Sequence, residues 1–169
     1  MRRHSLRFAA ALLAACLSPM ALAVTPLQHA DLSCQFQATP RPDGQVSLQF
    51  KLSNNGKRDL HLLRWGSPFE GGWFGPFVKA STAQGELAFQ GAMRKRGDPS
   101  AQDYLSLPAG QSLTASLTLN DAFTLPPTGK LRLKARWHWH DMMLRGTPPR
   151  PRAQHRGLDQ DCGEVTLTR

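Results

Sequence analysis

The chain has 169 residues and a mass of 18.7 kDa, enough for one domain with a sizeable core but not for two. Lys and Arg outnumber Asp and Glu by 21 to 12, a formal charge of +9; that is the balance of a nucleic-acid or membrane-surface binder unless processing removes part of it. Hydrophobic residues at 40% and charged residues at 20% exclude whole-chain disorder and a collagen-like fibre, while 13 Pro and 14 Gly favour many short elements over a few long helices.

Arg2, Arg3 and Arg7 precede an apolar run from Phe8 to Leu17, followed by Pro19 and Ala21-Leu22-Ala23. A basic head, an apolar middle and a small-x-small exit describe a secretory signal peptide over residues 1–23. The run is shorter than the roughly 20 residues a membrane span requires. A second exit competes: Leu13-Ala14-Ala15-Cys16 fits a bacterial lipoprotein box, in which Cys16 would become the lipidated first residue. The apolar stretch Leu17 to Val24 weighs against it, since lipoprotein tethers are usually polar. Both exits lead to an exported protein, periplasmic or secreted, with residues 24–169 as a single domain.

Both exits also leave Cys34 and Cys162 as an even pair, and an oxidising compartment favours one disulfide between them over two unpaired thiols. Loss of residues 1–23 removes three Arg and no acid, so the charge falls to +6. Four of those charges, Arg145, Arg150, Arg152 and Arg156, belong to one Pro-rich stretch without an acid. The remainder is close to balance, which removes the case for nucleic acid as a partner.

After the leader the chain reads as strands. Leu32, Cys34, Phe36 and Ala38 alternate with polar residues, and Pro40 to Gly44 makes a turn. Val46, Leu48, Phe50 and Leu52 alternate next, and Asn54-Asn55-Gly56-Lys57 predicts a tight turn into a strand from Asp59 to Trp65. Weaker strands are expected at Phe77 to Ala80 and Leu87 to Gln90. Leu113 to Leu119 alternates cleanly. Leu131, Leu133, Ala135, Trp137 and Trp139 form the longest alternation, with Lys130, Arg132, Lys134, Arg136, His138 and His140 on the other face. Val165 and Leu167 end the pattern. Only Asp121 to Phe123 hints at a helical turn, and Arg145 to Arg156 reads as an extended, solvated loop. About seven or eight short strands with turns between them predict an all-β, antiparallel, immunoglobulin-like β-sandwich.

Signatures of chemistry are sparse. His-Glu-x-x-His, Gly-x-Ser-x-Gly, the P-loop and Gly-x-Gly-x-x-Gly do not occur, and acids are scattered singly. His138 and His140 share one strand face at the spacing of two metal ligands, but four cations precede them on that face, which suits a solvent-facing stripe better than a metal site. Neither a metal nor a cofactor is expected. Residues 65–77, with five aromatics, four Gly and two Pro, read either as a plug on one end of the core or as an apolar patch for a protein partner.

Four groups of residues occur in a telling order: Trp65-x-x-Pro68-Phe69-Glu70-Gly71, Lys95-Arg96, Asp103-Tyr104-x-x-Leu107-x-Ala109-Gly110-x-Ser112, and Leu119-x-Asp121-Ala122-Phe123. This pattern resembles the N-terminal β-sandwich prodomain of deuterolysin-type (aspzincin) zinc metallopeptidases, over roughly Val46 to Trp137. Such a prodomain precedes the catalytic domain and is thought to assist its folding and keep it inactive. The catalytic domain would follow near residue 150, whereas this chain passes through the Arg/Pro stretch to Arg169; Phe123 also stands where Tyr is common. The resemblance therefore implies a fold and the binding of a protease, not peptidase activity. The expectation is a non-catalytic exported domain, an inhibitor or folding partner of a secreted metallopeptidase. Its candidate partner-binding residues are Phe69, Glu70, Trp73, Phe74, Lys95, Arg96 and Tyr104, with Glu70 the one able to approach a zinc ion. The alternative is an envelope-associated structural or ligand-binding module whose basic surface makes peripheral contact with anionic lipid or glycan.

Overall fold

Alternating apolar residues build the two long strands at the centre of the molecule. The computed structural model describes residues 31–169; the signal peptide expected over residues 1–23 and the lipoprotein alternative at Cys16 lie outside the described residues. Strand β2 (Val46–Asn54) turns Val46, Leu48, Phe50 and Leu52 inward, and β8 (Lys130–Trp139) does the same with Leu131, Leu133, Ala135, Trp137 and Trp139. Beside β2 lie β1 (Leu32–Pro40) and β7 (Ser112–Thr118), in the order β1-β2-β7. A second sheet runs β10-β8-β4-β5, with β4 at Val78–Thr82, β5 at Gly85–Glu86 and β10 at Leu158–Thr168. A third, β6-β3-β9, joins Tyr104–Leu107, Leu60–Leu63 and Met142–Met143. Every pairing is antiparallel.

The architecture is an all-β sandwich, with aromatic side chains filling the space between the sheets. Phe50 meets Phe77 and Trp137 edge-on at centroid distances of 6.1 and 6.2 Å, and Trp73 stacks on Phe77 at 4.6 Å. Rings of this size supply large apolar area, and edge-to-face packing adds to it. Cys34 and Cys162 are bonded, joining β1 to β10 across 128 positions of sequence, as the cysteine pattern predicts. At the same place β10 carries a bulge between Asp161 and Gly163. Gly163 has φ +87, a left-handed conformation at no steric cost to glycine, and its N–H donates to Asp161 Oδ1 at 2.7 Å.

Several expectations are corrected. Ten strands are present among the described residues, because β6, β5 and β9 are short pairings with little alternation. The final strand is far longer than Val165 to Leu167. The part before Val165 is marked by charge: Asp159 accepts from His138 Nδ1 at 2.8 Å and from Arg136 at 3.1 Å, and Glu164 pairs with Arg132. These acids partly neutralise the basic face of β8. Leu87 to Gln90 forms no strand. After one further bond, from Leu87 N–H to Ala80 O, the chain leaves the sheet and lays Phe89 against Trp73 and Phe123. Asn54 to Lys57 is not a hairpin turn, because β2 and β3 belong to different sheets. The buried Asn54 amide bonds Arg58 O and Leu107 O, which directs the chain across. The helical turn falls at Leu119–Asp121, two residues early. No helix among the described residues is long and apolar enough to cross a membrane.

Candidate functional site

Beyond β3 the chain makes a compact turn held by its own side chains. Ser67 Oγ donates to Arg64 O at 2.7 Å and accepts from Phe69 N–H, so the hydroxyl caps a short 3-10 turn over Pro68–Glu70. Glu70 reaches back to accept the Gly66 N–H at 2.8 Å, with Gly66 at φ +65. Its side chain is only 5% exposed and also pairs with Arg96, with Arg94 at 3.8 Å. A buried carboxylate is tolerable because the backbone donor and two guanidinium groups replace its water. Glu70 therefore faces arginines of its own chain, and the expectation of an outward carboxylate able to approach zinc does not fit this geometry.

Both arginines lie over aromatic rings. Arg94 sits 3.4 Å from the Phe74 centroid, and Arg96 sits 5.2 Å from that of Trp65. Trp65 is anchored by donating Nε1–H to Asp103 Oδ1 at 3.0 Å. Burial would raise the Asp103 carboxyl, but hydrogen bonds from Ser100 N–H, Trp65 and the Ser100 hydroxyl, with the charge of Arg64, hold it below its ordinary value.

The Arg/Pro stretch is not the solvated loop its composition predicts. Asp141, fully buried, draws Arg150 inward: Arg150 Nε–H donates to the carboxylate at 3.0 Å and Nη2 makes a second contact. Tyr104 donates its hydroxyl to Asp141 Oδ2 at 2.8 Å, and Arg156 N–H donates to Oδ1 at 2.9 Å. Burial works against the charge on Asp141, yet these hydrogen bonds, led by that of Arg150, keep its carboxyl below the usual range. Burial and the Asp141 carboxylate push the Tyr104 hydroxyl well above its normal range, so it remains a donor.

Folding the stretch back places Arg152 and His155 opposite Arg94 and Arg96. Between them lies a cleft of about 500 Å³, with Leu63, Trp65, Phe74 and His140 completing its walls. Arg152 donates to Gly97 O and pairs with Asp98 at 3.1 Å. Among the described residues no carboxylate lines the cleft. Burial, followed by the charges of His138, His155 and Arg96, lowers the His140 imidazole below its ordinary value. Among the described residues no three His, Cys, Asp or Glu side chains gather as metal ligands. The arrangement is suited to holding an anion.

The candidate residues from sequence separate into groups. Phe74 and Arg96 line the cleft, and Glu70 holds Arg96 from behind. Trp73 is core, with Nε1–H donating to Thr118 O at 2.9 Å, and half-buried Phe69 packs near Trp137 and Trp139. The aromatic stretch is thus mainly a plug. Tyr104 supports Asp141, and Lys95 is exposed outside the cleft. Sequence reasoning missed Arg94, Arg152 and His155 as members of one site. The available signal was a pair of basic loop segments, Arg94 to Arg96 and Arg145 to Arg156.

No protein-family model matches the chain. An extracellular protease of Aeromonas hydrophila is 28% identical over 110 residues, covering 65% of this chain and 31% of that protein. This chain therefore spans under a third of that protein's length where they match. A solved structure, described as an X-ray structure of a Northeast Structural Genomics Consortium target, covers 82% of this chain and is covered over 86% of its own, at 9% identity and a TM-score of 0.41. The protease likeness points to a protease-related domain, and with the Cys34–Cys162 disulfide it fits an exported protein.

Proposed function

We propose that this domain is a non-catalytic binding module for a secreted zinc metallopeptidase, acting on it as an inhibitor or folding partner in the manner of a deuterolysin-type prodomain. The observation that carries this reading is the mutual contact of three separate groups of resemblance residues. Glu70 of the first binds Arg96 of the second, Arg96 lies over Trp65, and Trp65 donates to Asp103 of the third. These groups shape one side of the cleft, where a partner would meet them. The partial likeness to an extracellular protease supports a protease as that partner.

The domain contributes no chemistry in this reading. It binds and covers, and basic residues at the cleft supply orientation and electrostatic attraction. The test is to incubate the purified exported chain with a panel of deuterolysin-type peptidases while following peptide hydrolysis and recovery of activity after unfolding. Slowed hydrolysis or improved recovery is expected for at least one enzyme. Unchanged rates and recoveries across the panel, with salt-sensitive sedimentation on anionic vesicles, would replace the reading with that of a surface module.

A further inference from the structure

Building on the reading that the domain binds a protein, we propose that the cleft receives a carboxylate of that partner, presented by an acidic residue or chain end of an extended segment, and that Arg94, Arg96 and Arg152 grip it. Three guanidinium groups and two imidazoles converge there from the 91–99 loop, the residue after β8, and the folded-back Arg/Pro stretch. The acids that balance them are not in the cleft. Glu70 lies behind Arg94 and Arg96 as one charge shared by two, and the Asp98 side chain, paired with Arg152, is 91% exposed. Contact with a ring leaves a guanidinium its N–H donors, and its fork matches a carboxylate. Leu63, Trp65 and Phe74 add apolar wall, which suits a carboxylate carried on a peptide better than a bare inorganic anion.

His140 links this site to pH. The groups around it are His138 from the end of β8, Arg96 and Arg94 from the 91–99 loop, and Arg152 and His155 from the Arg/Pro stretch. The neighbouring acids are engaged elsewhere, Asp159 by His138 and Arg136 and Asp141 by Arg150, Tyr104 and the Arg156 N–H. In the free protein burial and these cations disfavour the charged form of the imidazole. An incoming carboxylate offsets them and favours protonation, so binding takes up a proton and strengthens as pH falls.

Calorimetric titration of the exported chain tests the site with four probes. These are an apolar hexapeptide carrying one Glu and capped at both ends, its Gln counterpart, that Gln counterpart with a free C-terminus, and inorganic phosphate. The Glu or free-acid peptide is expected to bind at least about tenfold more tightly than the capped Gln peptide, and which of the two does so identifies the source of the carboxylate. Arg94→Gln, at a half-exposed position, should weaken that binding about tenfold with only a small fall in the thermal midpoint, because Arg96 and the Gly66 N–H still hold Glu70. Affinity should rise about threefold from about pH 7.5 to about pH 5.5, with the His140 ring titrating at higher pH in the complex by NMR. Equal affinity for the capped Gln peptide, phosphate binding as tight as the peptides, or an unaffected Arg94→Gln variant would overturn the proposal. A peptidase retained equally by wild type and Arg94→Gln would sink the cleft alone; acidic peptide bound with no peptidase retained would sink the protease reading alone.

Discussion

Asp141 and Glu70 occupy loop or strand-end positions where acids ordinarily face water, yet both are turned inward to arginines of their own chain. Each fastens a segment that has no sheet to hold it: Glu70 the 91–99 loop, and Asp141 the Arg/Pro stretch. Breaking a buried pair on one side leaves the other charge without a partner, so Asp141→Asn should cost about 3 kcal/mol in denaturant unfolding. Tyr104→Phe removes one donor to the same carboxylate and should cost about 1.5 kcal/mol. The carboxyl of Asp141 is depressed in the folded state, so its contribution is complete above the unfolded value of about 3.9 and disappears as pH falls through the lower folded value. Thermal midpoints measured from pH 7 down to 3 should therefore drop more steeply for the wild type than for Asp141→Asn. Parallel curves would contradict this role.

At the scale of elements, legibility followed whether a strand's partners are water and core or other charges. β2 and β8 each have one apolar and one polar face, and their alternation marks them plainly. β10 pairs through Asp159 and Glu164 to cations of β8, a relation between residues over twenty positions apart that periodicity does not register. The candidate site is composed in the same nonlocal way. Phe74 and Arg96 were identified from sequence, but Arg152 and His155 join them through tertiary contacts, of Arg150 and the Arg156 N–H with Asp141 and of Arg152 with Gly97 O and Asp98. The bulge in β10 gives a local test: Gly163→Ala places a side chain at φ +87, and should cost about 1–2 kcal/mol in equilibrium unfolding. A cost near zero would show that the bulge relaxes.

The whole molecule is a sandwich whose first and last strands are bonded through Cys34 and Cys162. Closing so long a loop restricts the unfolded chain, and the double variant Cys34→Ala/Cys162→Ala should lose about 4–5 kcal/mol of stability. The positive charge that opens the sequence is unevenly spread. The acids of β10 offset part of the cationic face of β8, whereas the cleft between the aromatic turn and the Arg/Pro stretch is lined by cations and, among the described residues, by no acid. A patterned charge of this kind acts on association rates and partner choice more than on folding. The most direct measurement is the binding of the purified exported chain to an immobilised secreted zinc metallopeptidase, comparing wild type with Arg94→Gln across salt concentration. The account predicts saturable binding by the wild type that weakens with salt and falls about tenfold in the variant. Absence of binding to every such peptidase offered would contradict it.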